Sequence, residues 1–112
     1  MARTATTADV FNAIAETRRR DVLDALGADE VGVDELVRRL HLPQPQVSKH
    51  LKVLREVDLV RCRTLGRRHL YRVHAPALQP LSDWLRGFEA RVNEQLDRLD
   101  DHLTLMQLEE DR

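Results

Sequence analysis

Aromatic residues make up only 4% of the chain, and there is a single cysteine, Cys62. So few rings are thin material for an enzyme pocket or an all-β core, where Tyr, Phe and Trp are enriched. One cysteine rules out an internal disulfide framework and fits a reducing compartment. No run of eighteen apolar residues occurs, so no transmembrane helix and no membrane partner are expected. The opening residues, Met1-Ala2-Arg3-Thr4-Ala5-Thr6-Thr7, lack the apolar stretch of a signal peptide, and the expected location is cytoplasmic. No internal repeat or low-complexity linker is present.

What remains is a chain of 112 residues, 42% apolar and 33% charged, sized for one domain around one modest core. Leu and Val dominate the apolar set, which favours helices packed on one another. The net charge of −1 conceals a strong asymmetry. Between Gln44 and Arg72 lie eight cations (Lys49, Lys52, Arg55, Arg61, Arg63, Arg67, Arg68, Arg72) against two anions, Glu56 and Asp58. From Pro76 onward, four cations face nine anions. A basic block followed by an acidic helix directs attention to a local polyanion-binding face, with double-stranded DNA as the expected partner.

The apolar periodicity predicts helices over residues 8–15 (Val10, Phe11, Ile14) and 17–26 (Val22, Leu23, Leu26), the second stopped by Gly27. Gly32 interrupts the next stretch. A third helix then carries Asp34 and Glu35 in its first turn, where negative charge suits the helix dipole. A short break at His41-Leu42-Pro43 leads to a fourth helix, 44–57, with Pro45 tolerated in its first turn. Val47, Leu51 and Leu54 fall on one face of it at about 100° per residue, leaving Lys49, Lys52 and neighbouring polar side chains outward. The period then changes to alternation. Residues 60–64 and 69–73 flank Leu65-Gly66-Arg67-Arg68 and read as a β-hairpin over 60–74. From Pro76 a long helix carries Leu78, Leu81, Leu85, Phe88, Val92, Leu96, Leu99, Leu103 and Met106 at steps of three or four. That ridge extends ~42 Å at 1.5 Å per residue, longer than so small a domain can cover, and a partner helix is its simplest cover. The expected fold is mainly α with a small β-hairpin, in the order α-α-α-α-β-β-α. It forms a single unit over residues 1–112, with a core and wing at 8–75 and a long dimerisation helix at 76–110.

Two helices joined by a tight turn, the second followed by a basic hairpin, make a winged helix-turn-helix. The second helix of such a pair enters the major groove with its N-terminal residues leading. Those residues are Gln44, Gln46, Ser48 and Lys49, with Lys52 further along; His50 is a further candidate contact, and beside Leu51 and Leu54 it also reads as a half-buried histidine. Gln pairs with adenine in a bidentate way, Lys reaches guanine acceptors or phosphate, and Ser suits either. Arg67 and Arg68 at the hairpin tip suit phosphates or a narrow minor groove.

The run Gln44-Pro45-Gln46-Val47-Ser48-Lys49-His50-Leu51-Lys52-Val53-Leu54 resembles the recognition helix of the arsenic-repressor (ArsR) family. Gly66-Arg67-Arg68, Tyr71-Arg72-Val73 and the upstream Arg18-Arg19-Arg20-Asp21-Val22-Leu23 are similar to that family's wing and opening helix. The resemblance spans roughly residues 10–103. It implies a homodimeric repressor built from the first and last helices, with Val10, Phe11, Leu81, Trp84, Leu85, Phe88, Val92, Leu96 and Leu99 at the seam, bound to a palindromic operator. Three positions depart from the family pattern. Pro43 replaces the usual capping Ser, Asp58 the Gly that ends the recognition helix, and Thr17 a common proline.

Metal-sensing members of the family carry Cys-x-Cys in the third helix, or Asp-x-His with a further His in the last. Here the third helix has no cysteine, and Asp100 and His102 supply half of the second pattern. His41, His50, His69 and His74 are scattered rather than grouped at ligand spacing. The expectation is a branch with no metal and no cofactor, its small-molecule inducer, if any, unread. An enzyme is not expected: Ser48 and His50 are two apart on one helix and do not face each other. The remaining alternatives are a winged-helix interaction module without direct DNA binding, and a metal- or redox-responsive repressor using Cys62.

Overall fold

Glu16, in extended conformation (φ −92°, ψ 130°), separates the first two helices, α1 (Thr7–Ile14) and α2 (Thr17–Leu26). The computed structural model describes the backbone of residues 7–110 and the side chains of residues 10–110. The segment 1–6, read above for its missing signal, lies outside the described residues. The last carbonyls of α1 have no helical partners of their own, and α2 supplies them. Arg19 donates from Nε to the Ala13 carbonyl at 2.6 Å and from Nη2 to that of Asn12 at 2.9 Å, while Arg20 Nη1 reaches the Ile14 carbonyl at 2.8 Å. Two cations at the negative end of a helix dipole also interact favourably with it. At the other end of α2, Gly27 takes the predicted stop at φ 54°, its N–H donating to the Leu23 carbonyl.

The expected element order needs one correction. A two-residue strand, β1 (Val31–Gly32), precedes α3 (Val33–Leu40) and completes a three-stranded sheet. Two residues are too few to show a period. Their pairing partner lies far along the chain, where β1 runs antiparallel to β3 with Val31 opposite Tyr71 and Gly32 opposite Leu70. Gly32 is buried, and a side chain there would meet the Arg68 guanidinium at 3.4 Å. The predicted break after α3 is made by His41 in left-handed conformation (φ 54°), its N–H bonded to the Val37 carbonyl.

Helix α4 (Gln44–Glu56) ends one residue earlier than expected, at a C-cap on Val57. Asp58 follows at φ 62°, the left-handed position usually held by glycine. Its N–H donates to the Arg55 carbonyl, and the Leu59 N–H reaches back to that of Leu54. This is the pair of reversed bonds of a Schellman closure, with Leu59 and Leu54 as its hydrophobic contact; both are fully buried. The hairpin follows as β2 (Val60–Leu65) and β3 (Arg68–Val73), closed by a two-residue turn. Gly66, first of the two turn residues, takes φ 62°, a conformation that costs glycine nothing.

The sheet order is β1-β3-β2, all antiparallel. Val22 and Leu26 of α2, Leu36 of α3, Val47, Leu51 and Leu54 of α4, and Leu59 and Val60 at the hairpin's base are at most 1% exposed. Each such side chain contributes about 1.5–3 kcal/mol by leaving water, and together they lock α4 and the hairpin to the same core.

Pro76 does not open the last helix directly. A 3-10 turn (Ala75–Leu78) comes first, and α5 (Gln79–Glu110) follows for 32 residues. The chain divides into two compact units, one ending at Leu81 and the other beginning at Ser82. Ala77, Leu78 and Leu81 pack on the core of the first unit. The second unit is the remainder of α5, on which Trp84 stacks over Phe88 with ring centroids 5.3 Å apart. No helix among the described residues is long and apolar enough to cross a membrane.

Candidate nucleic-acid interface

Burial of Val47, Leu51 and Leu54 decides which face of α4 meets solvent. Gln44, Gln46, Ser48, Lys49 and Lys52 are all exposed, as the angular spacing requires. The N-terminus of α4 has no side-chain cap, because Pro43 has no acceptor to offer. Pro45 has no N–H, and the Gln46 and Val47 N–H groups donate to the Pro43 carbonyl, so the backbone closes this first turn itself.

His50 is the correction within this helix. It was expected beside the other leading residues on the DNA-facing surface, but it is only 8% exposed. Its Nδ1 lies 3.8 Å from Oε1 of Glu16, in the turn between α1 and α2. Position 50 is three after Val47 and four before Leu54, on the edge of the apolar stripe, so the helical period held this signal. Ser48 points to solvent while His50 points inward, so no nucleophile–base pair is assembled.

The basic block separates into two groups once ion pairs are assigned. On β2, Arg61 makes two bonds to the Asp58 carboxylate at 3.1 and 3.0 Å. Arg63 makes two to Glu30, both at 2.7 Å. The Arg61 guanidinium holds the Asp58 carboxyl below its ordinary range, and the Arg63 hydrogen bonds do the same for Glu30. Both arginines are shifted upward in return. Lys49 and Lys52 on α4, and Arg67 and Arg68 at the wing tip, are different. Among the described residues none of these four has an ion pair or side-chain hydrogen bond, and all are exposed. Charge left over after internal pairing is what can neutralise phosphate. Gln44, Arg67, Arg68 and His69 line one shallow cleft with Asp34 at the start of α3, so the leading end of α4 and the wing tip open onto common space.

On the other side of the sheet Tyr71 and Cys62 are cross-strand partners. Burial pushes the Tyr71 phenol up, and Cys62 adds to the effect. Cys62 is half-buried. Among the described residues no group of three or more His, Cys, Asp or Glu could hold a metal ion.

The residues expected at a dimer seam divide as well. Val10 is 5% exposed and belongs to the protomer's own core, which removes it from that set. Burial of its face of α1 leaves Phe11 only half-exposed. Leu81 is half-buried against the core. Along α5, by contrast, Trp84, Leu85, Phe88, Leu96 and Leu99 are 44–52% exposed, and Val92 is intermediate.

Comparison with known proteins agrees with this geometry. A helix-turn-helix domain family matches residues 15–63. The HTH-type transcriptional regulator Rv2034 of Mycobacterium tuberculosis is 36% identical over 82 residues, covering 73% of this chain and 77% of the relative. The arsenic resistance transcriptional regulator ArsR1 of Pseudomonas putida is 37% identical over 79 residues, 70% of this chain and 62% of that protein. Transcriptional repressor SdpR of Bacillus subtilis is 25% identical over 80 residues, 71% of this chain and 89% of the relative. Among solved structures, an ArsR-like transcriptional regulator from Rhodococcus sp. RHA1 superposes with a TM-score of 0.69 at 27% identity, over 83% of this chain and 88% of that one. A homodimeric winged helix-turn-helix DNA-binding domain from Mycobacterium bovis, 24% identical with a TM-score of 0.62, covers 80% of this chain and 91% of its own, and shares the fold. The open face of α4, the hairpin that follows it and these relatives lead to one assignment: the chain belongs to the ArsR family of winged helix-turn-helix transcriptional regulators.

Proposed function

We propose that this protein is a homodimeric repressor that binds operator DNA sequence-selectively, with α4 in the major groove and the β2–β3 hairpin as a wing on the flanking backbone. The observation that carries the reading is the row of cations without ion-pair partners among the described residues. Lys49, Lys52, Arg67 and Arg68 are exposed and unneutralised on the two elements that a winged helix presents to a duplex. The arginines of β2, which face carboxylates, are assigned no such role. Gln44, Gln46 and Ser48 share the exposed face of α4, and their amide and hydroxyl groups have the donors and acceptors needed at base edges.

Dimerisation is supported by α5. Leu85, Phe88, Leu96, Leu99, Leu103 and Met106 remain 44–52% exposed. At about 100° per residue they fall within one narrow stripe, which suits a second copy of the same helix. The homodimeric Mycobacterium bovis neighbour uses the same fold. Two protomers related by a two-fold axis would read an inverted repeat, with half-sites one helical turn or a multiple apart, roughly 10 base pairs per turn. Occupying a promoter in this way excludes polymerase, hence repression.

Selection of duplexes from a randomised pool tests the reading. Enrichment of an inverted repeat with that spacing supports it. A pool that stays random through successive rounds, at salt concentrations where the protein is folded, contradicts it.

A further inference from the structure

The wing is attached to the rest of the fold through few backbone bonds. β1 pairs only with Leu70 and Tyr71 of β3, and β2 is the outer strand of the sheet, touching β1 nowhere. Leu59 and Val60 seat the base of the hairpin in the core, and the ladder leaves the outer part of β2 paired to β3 alone. Arg61 ties the base of β2 to Asp58 after α4, and a second side-chain contact joins the middle of β2 to the β1 edge. Glu30, the residue before β1, reaches across β3 to Arg63 in the middle of β2, with Oε1 and Oε2 each accepting one guanidinium bond at 2.7 Å. The two residues are 33 apart in sequence, and the Glu30 side chain is 27% exposed. The strand register explains the reach. Gly32, Leu70 and Arg63 are aligned across the three strands, so Glu30, two residues before Gly32, lies on the same sheet face as Arg63. Arg72, on that face too, adds its attraction to Glu30.

We propose that Glu30 is a positioning residue for the wing: by clamping Arg63 it fixes the attitude of the hairpin, and with it the place of Arg67 and Arg68 relative to α4. The inference rests on the DNA-binding reading for its consequence, but the clamp itself is a property of the free protein. It predicts an effect opposite in sign to that of charge alone. Glu30 is a negative group close to a surface meant for phosphate, so removing it should tighten DNA binding if its charge were all that mattered. If it positions the wing, removing it weakens binding to the selected operator, because the wing must then be ordered on binding.

The test uses the full chain and three variants: Glu30→Ala, Arg63→Glu, and the charge-reversed pair Glu30→Arg/Arg63→Glu, which preserves net charge and can re-form the contact. Glu30→Ala is expected to weaken operator binding about two- to fivefold, the scale of an exposed bidentate pair, while binding to random duplex stays level or tightens. Amide hydrogen exchange in β2 and β3 should speed up by a similar factor, with α2 and α3 unchanged. Arg63→Glu should lose more, and the reversed pair should recover both wing protection and operator preference. Tighter operator binding by Glu30→Ala, or wing exchange identical to the parent protein, overturns the proposal. If the parent protein fails to distinguish operator from random duplex, the DNA reading falls and the role in binding falls with it, while hydrogen exchange still decides whether Glu30 orders the wing.

Discussion

Lys49 and Arg61 are both exposed cations in the basic block, yet their surroundings differ, and salt dependence tests whether their roles do. Among the described residues Lys49 has no ion-pair partner, whereas Arg61 is held by Asp58. Each phosphate contact releases counterions and adds about 0.9 to the slope of log affinity against log salt. A dimer carries Lys49 twice, so Lys49→Ala should reduce the slope by about 1.8. Between about 50 and about 200 mM salt, that change corresponds to a roughly tenfold narrowing of the gap between variant and parent. Arg61→Ala removes the same formal charge but frees the Asp58 carboxylate from its guanidinium, leaving the His74 ring 3.7 Å away, and its slope should change by well under one. Fluorescence anisotropy on operator and random duplexes of equal length, at five or six salt concentrations, measures both. Lys49→Ala should weaken the two duplexes alike. Equal slope changes for Lys49→Ala and Arg61→Ala would refute the division into free and neutralised cations.

Gln46→Ala should cost about 1–3 kcal/mol on the operator alone if its amide reads a base; an equal loss on random DNA would remove it from the base-reading set. At the end of α4, Asp58→Ala places a side chain without local hydrogen bonds at φ 62°, and it should be less stable than Asp58→Gly by about 1 kcal/mol in urea unfolding. Equal stability would mean that this closure carries no strain. Glu30 and Asp58 both titrate below their ordinary ranges, so their pairs stabilise the fold fully above the unfolded carboxyl values and fail as pH falls through the lowered ones. The urea midpoint should hold above about pH 5 and decline below about pH 4. Carboxyl NMR titrations of these two residues at or above ordinary values would contradict the pairing. Leu96→Glu/Leu99→Glu removes two half-exposed leucines per protomer, each worth about 1 kcal/mol at a seam. Sedimentation should show a shift toward monomer, and an undiminished dimer would place the interface elsewhere.

Features written in short-range patterns were legible in the sequence. Gly27 and Pro45 bracket helices by their own stereochemistry, the stripe of Val47, Leu51 and Leu54 orients α4 from its period, and Gly66 marks the hairpin turn. Asp58, identified beforehand as standing where glycine is usual, does adopt the left-handed conformation. What stayed hidden depends on residues distant in sequence. β1 has no period to detect, and only its pairing with β3 makes it a strand. Arg63 was counted with the basic block because its partner, Glu30, lies 33 residues upstream. His50 and Val10 show the converse error. Val10 is expected at the dimer seam and His50 on the DNA-facing side, but the core takes both, and the helical angle of His50 sets it at the edge of the apolar stripe.

The central claim is that the free cations of α4 and the wing serve selective binding of a duplex by two copies of this chain. The most direct test is titration of the purified protein with the DNA upstream of its own coding sequence, against a scrambled duplex of equal length, with the mass of the complex read by sedimentation. Two protomers per duplex, tight binding to the upstream DNA, and steep weakening with salt are the predicted result. Equal affinity for both duplexes together with a flat salt response would contradict the claim.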